Sequence, residues 1–121
     1  MRFPGPFSVV PMLIAVILPM ETFALGEFPS NPDPKTQYIF YMHGVFPEKR
    51  GAGGDYNYWG IVKALQAKGL VVIGEVRGPT EFPTYTSAIF DQVNRLLDAG
   101  VPPANITVAG HSKGGLLSLF V

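Results

Sequence analysis

The chain has 121 residues, with nine basic and nine acidic side chains, and so carries no formal net charge. That balance leaves no electrostatic footprint for nucleic acid or an anionic membrane surface. The absence of cysteine excludes disulfides, thiol catalysis and thiolate metal sites. A hydrophobic share of 47% against 15% charged residues describes a globular chain with buried strands, long enough for one domain at most.

Residues 1–26 read as a signal peptide. Arg2 is the only charge before Glu21, and the apolar run from Phe7 to Met20 falls short of the ~20 residues of a membrane span. Small residues follow, placing cleavage after Ala24 or Gly26, and Pro11 and Pro19 oppose a regular helix. A secreted or periplasmic location is the expectation, with no stable membrane span. Residues 27–36 are an extended, proline-rich lead-in.

"QYIFYM", Gln37 to Met42, is apolar on both faces, as a strand buried in a parallel sheet must be. "HGVFPEKRGAGGDYN" reads as a long glycine-rich loop. "YWGIVKALQAKG" predicts a helix with Trp59, Val62 and Leu65 at helical spacing, closed by Gly69. "LVVIGEV", Leu70 to Val76, is a second buried strand. "RGPTEFPTYT" reads as a loop. "SAIFDQVNRLLDAG" is a helix whose stripe is Ile89, Val93, Leu96 and Leu97, closed by Gly100. "NITVAG" is a third strand, and "GGLLSLFV" opens a third helix. This alternation predicts an α/β fold, a parallel sheet with helices on both faces and three recognisable strands. In such sheets chemistry gathers beyond the carboxyl ends of the strands.

"GHSKG", Gly110 to Gly114, falls between the third strand and the third helix. Gly-x-Ser-x-Gly in that position has the form of a nucleophile elbow: a strained turn projects the serine Oγ, and glycines two residues away on either side give clearance. The competing readings are a glycine-rich turn with an ordinary serine, and a phosphate-binding loop. The Walker spacing is absent, and no Gly-x-Gly-x-x-Gly follows a strand. His43 and His111 are too few for a metal cluster, so neither metal nor cofactor is expected. Tyr56, Tyr58 and Trp59 fit either an acyl pocket or ordinary helix-to-sheet packing. Glu75 and Arg77 read as a strand-end ion pair or hydrogen bond, and the sequon Asn105-Ile106-Thr107 as a chance match at a strand entrance.

"YIFYMHG" at 38–44, "ALQAKGLVVIGEVRG" at 64–78 and "GVPPANITVAGHSKGG" at 100–115 together resemble the first half of an α/β-hydrolase of the esterase and lipase type. The resemblance covers 37–121 and implies a partial, truncated α/β-hydrolase domain over those residues. It implies Ser112 as the nucleophile and a carboxylic ester as the small-molecule substrate. One oxyanion donor is then the N–H of Lys113, and the other that of Val45, with Phe46 as fallback. His43 and Gly44 form the supporting loop, His43 orienting it and not serving as base. Gly110 and Gly114 complete the elbow. The resemblance directs the His111 side chain away beneath the turn. The family's acid and histidine come after the serine, and in this sequence no His, Asp or Glu follows Ser112. The expectation is a serine ester hydrolase incomplete as given, its sheet open to association at an unpaired edge. The alternative is an inactive fragment or a non-enzymatic binding module.

Overall fold

The computed structural model describes Gly5, residues 26–79 and residues 81–121. The reading of 1–26 as a signal peptide therefore lies, but for Gly5 and Gly26, outside the described residues. Among the described residues three strands form one open, all-parallel sheet in the order β2-β1-β3. β1 is Tyr38–Met42, β2 Val71–Ile73 and β3 Ile106–Gly110. Among the same residues four α-helices accompany them: α1 Val45–Arg50, α2 Tyr58–Ala67, α3 Phe82–Asp98 and α4 Lys113–Ser118. The architecture is of the α/β class.

β1 is central, which explains its unbroken apolar character. Its alternation divides the core into two. Tyr38, Phe40 and Met42 pack with Tyr85, Ile89 and Leu96 of α3 and Leu117 of α4. Ile39 packs on the opposite side with Tyr58 and Val62 of α2. Both faces are thus covered, as a parallel sheet requires.

Three element boundaries differ from the sequence reading. The segment after Gly44 is not all loop, because 45–50 form α1. Pro47 is tolerated in a first turn, Lys49 and Arg50 sit at the carboxyl end, and Gly51 stops the helix at φ 84. β2 is three residues long, not seven. Gly74 leaves the β1 ladder, its N–H donating instead to the Gly26 carbonyl at 2.8 Å, and Glu75 is exposed. α3 begins at Phe82, not Ser87, because Pro83 occupies a first-turn position where its missing N–H is harmless. Leu97 is exposed, so the buried stripe of α3 runs through Tyr85, Ile89 and Leu96.

Among the described residues no helix is long and apolar enough to cross a membrane. β3 pairs on one side only among the described residues, and Leu116, Leu119 and Phe120 of the adjoining segment are exposed.

Candidate active site

The order β2-β1-β3 reverses the direction of chain crossover at β1. That creates a switch point between the carboxyl ends of β1 and β3, where open α/β sheets place their sites. Two turns meet there. A Cβ on Gly44, just past β1, would lie 3.2 Å from the Cβ of Ser112, just past β3. Two residues distant in sequence are thereby brought into contact by β1–β3 pairing in register, Met42 opposite Gly110.

Ser112 is the only non-glycine at positive φ among the described residues, at φ 54 and ψ −120. A side chain in that region costs about 1–3 kcal/mol and persists only where surrounding structure imposes it. The imposing contacts are identifiable. The His111 N–H donates to the Met42 carbonyl at 3.1 Å, fixing the end of β3 on β1. The Gly114 N–H donates back to the His111 carbonyl at 2.9 Å, closing the turn around the serine. A Cβ on Gly110 would overlap the Gly114 carbonyl, and a Cβ on Gly114 would overlap the Met42 carbonyl. Both glycines are therefore required by contact. Ser112 is exposed and its side chain makes no capping bond.

Val45 and Lys113 are the first residues of α1 and α4. First-turn N–H groups have no intrahelical acceptor, and among the described residues neither of these donates to a turn or loop carbonyl. Phe46 is exposed, and its ring stacks on Tyr56 at 4.8 Å and 7°.

His43 is buried, and its two ring nitrogens are both engaged. The Arg77 N–H donates to Nε2 at 2.9 Å, which makes Nε2 the acceptor and leaves the proton on Nδ1. Nδ1 lies 2.7 Å from the Gly44 carbonyl and donates to it. The ring is locked in one tautomer and braces the backbone at Gly44. It is not available as a base for Ser112. Burial pushes its pKa below the ordinary value of 6.5; the Gly44 bond opposes that shift and the Arg77 charge adds to it. The unfolded chain therefore takes up a proton more readily than the folded one. The stabilisation is complete above 6.5 and is lost as pH falls through that value toward the folded pKa. A thermal midpoint that declines on acidification from 6.5, and a flatter decline in His43→Gln, are the expected results. An unchanged slope in the variant would remove His43 as the cause.

His111 is exposed, and its ring centroid lies 6.4 Å from that of Tyr56. It shares with Ser112 a hollow of about 300 Å³ lined also by Gly44, Val45, Phe46, Pro47 and Tyr56. This corrects the expectation that it lies beneath the turn. Its Nδ1 lies 3.5 Å from where a Cβ on Gly44 would stand, yet no hydrogen bond joins the ring to the Ser112 hydroxyl among the described residues. The three aromatics divide: Tyr56 lines the hollow, whereas Tyr58 and Trp59 open α2, Tyr58 buried and Trp59 half-buried in the core between that helix and the sheet.

Among the described residues Glu75 and Arg77 form neither the ion pair nor the hydrogen bond expected of them. Arg77 reaches Glu48 of α1, with Nη2 3.5 Å from Oε2, and Glu75 is exposed. Lys113 Nζ donates to Glu48 Oε1 at 2.7 Å and Oε2 at 2.8 Å. Burial pushes the Glu48 carboxyl up, but the Lys113 ammonium and then the Arg77 guanidinium outweigh it and hold the group below its usual range. Arg77 Nη2 also donates to the His43 carbonyl at 2.6 Å. Glu48 gave no signal in the sequence, because its partner Lys113 lies 65 residues away. Among the described residues no cluster of His, Asp and Glu is fit to hold a metal ion. Asn105 donates its side-chain amide to the Pro34 carbonyl at 3.2 Å, an exposed tie between the lead-in and β3.

Comparison with family models, curated proteins and solved structures finds no match to this chain.

Proposed function

We propose that the chain carries the nucleophile and oxyanion half of a serine ester hydrolase of the α/β-hydrolase type. The observation that carries this reading is the backbone of Ser112, held at φ 54 and ψ −120 between a strand and a helix and opposite Gly44. A strained, exposed serine at a sheet switch point matches the demands of acyl transfer. Ser112 Oγ attacks the ester carbonyl, and the N–H groups of Val45 and Lys113 receive the oxyanion. The tetrahedral intermediate expels the alcohol, and water releases the acyl group from the serine. The proton from Oγ goes to a base that neither His43 nor Lys113 supplies. His43 is locked into the fold. Lys113 is bound to Glu48 and stands beside the serine, not at the Ser-x-x-Lys spacing. Among the described residues no side chain bonds to the Ser112 hydroxyl, so the reading leaves base and orienting acid unassigned.

A fluorophosphonate probe applied to the protein isolated from its source tests this directly. The expected adduct maps by peptide mass to the segment containing Ser112 and disappears in Ser112→Ala. An unlabelled Ser112 in folded protein would reject the reading.

One observation favours a second reading: no histidine bonds to the Ser112 hydroxyl among the described residues. The chain is then an inactive fragment or a binding module on the same scaffold. That reading expects no ester turnover from the 121-residue chain and no effect of Ser112→Ala on it.

A further inference from the structure

We propose that Glu48 is a positioning residue that sets the spacing of the two oxyanion donors by clamping the serine turn to the loop after β1. The inference rests on the hydrolase reading above and assigns a role to the Lys113 side chain, of which that reading uses only the main-chain N–H.

Val45 and Glu48 belong to the same six-residue helix, α1. Lys113 is the first residue of α4. The Glu48 carboxylate takes the Lys113 ammonium through both oxygens, at 2.7 and 2.8 Å. Each end of this bridge thus stands on the element whose first N–H is assigned to the oxyanion. Arg77 joins the segment after β2 to the same point, since its guanidinium meets Glu48 Oε2 and the His43 carbonyl. One carboxylate thereby gathers the chain segments that follow β1, β2 and β3.

The energetics favour a positional role over a stabilising one. Side-chain exposure is 5% for Glu48 and 3% for Arg77, and it is 23% for Lys113. Burying such groups forfeits hydration, and a buried ion pair is commonly no more stabilising than apolar packing of similar shape. What it supplies is direction. A two-point charge-assisted bridge ties α1 to α4, which Leu117 seats in the core, and so fixes the separation of their first turns. A donor displaced by about 1 Å can cost about a hundredfold in rate.

The test uses the full chain as the cell makes it, with p-nitrophenyl acetate as substrate and fluorophosphonate titration to count reactive Ser112. Glu48→Gln is expected to lower kcat per titrated site about tenfold to a hundredfold, with KM changed by less than about twofold. Lys113→Met should give a similar loss, the pair combined no more than either alone, and Lys113→Arg should retain most activity. Because Glu48→Gln leaves Arg77 without its carboxylate, Lys113→Met keeps the test open if that variant fails to fold. Full kcat per titrated site in folded Glu48→Gln or Lys113→Met, whatever the melting midpoint, would overturn the clamp alone. Failure of the unsubstituted protein to label at Ser112 would overturn the hydrolase reading and the clamp with it.

Discussion

Gly114→Ala is expected to destabilise the fold by about 3 kcal/mol or more, at the upper end of what one added methyl does in a packed interior. The reason is what the methyl would meet. Its position overlaps the Met42 carbonyl oxygen and lies 2.6 Å from the oxygen of His43. Those atoms are backbone at the end of the central strand, held by Tyr38–Phe40 pairing to β2 and by Tyr38–Met42 pairing to β3. No side chain can swing aside to relieve the overlap. Gly110→Ala should behave alike, since its methyl would overlap the Gly114 carbonyl. Gly115→Ala should cost less, its methyl meeting the Gly110 oxygen at 3.1 Å. Gly53→Ala, with nothing within 4 Å and a negative φ, should stay within about 0.5 kcal/mol of the parent. Urea unfolding of the four variants would give that ranking. A Gly114→Ala protein as stable as Gly53→Ala would mean that the turn is not seated on the β1 carbonyls.

At Ser112 two substitutions separate strain from chemistry. Ser112→Ala keeps a Cβ at φ 54 and so keeps the strain. Ser112→Gly removes it. Relief of about 1–3 kcal/mol, less the greater freedom of an unfolded glycine at about 0.5–1 kcal/mol, leaves Ser112→Gly the more stable. The expected difference is about 1 kcal/mol, measurable as a higher denaturation midpoint. Both variants lose fluorophosphonate labelling, and any ester turnover by the complete protein should fall about a thousandfold or more in each. Equal midpoints would mean that the backbone relaxes around the serine and stores no strain. Turnover surviving in both would move the nucleophile elsewhere.

The parts legible in the sequence were those with a local cause. β1 and β3 announced themselves as apolar runs bounded by glycine, and α2 ended at Gly69 with φ 86 as a helix-closing glycine should. The Gly110–Gly114 spacing was readable because the turn it makes is local. Boundaries failed where local cues pointed two ways. Pro83 signals a loop and a first helical turn equally well, and α3 took the second option. Four glycines from Gly44 to Gly54 hid α1, although its charges already lay in helical order, Glu48 ahead of Lys49 and Arg50. Long-range partners were illegible in principle. Nothing in one sequence says that Arg77 will choose Glu48 over its near neighbour Glu75, because the choice depends on how the loops converge after the sheet forms.

The central place of β1 also sets an order of events as the chain leaves the ribosome. Tyr38 pairs with Val71 on one side and with Ile106 on the other. Neither contact is local, and parallel pairings of this kind form slowly because a long loop must close before any bond rewards it. The β1–α2–β2 unit has the shorter loop and is complete first. β3 docks only after α3 has been made, and the serine turn acquires its backbone geometry at that last step. Until then Phe40 and Met42 lack much of their α3 and α4 cover. A nascent chain that ends before β3 therefore exposes apolar surface of β1 that the finished fold buries.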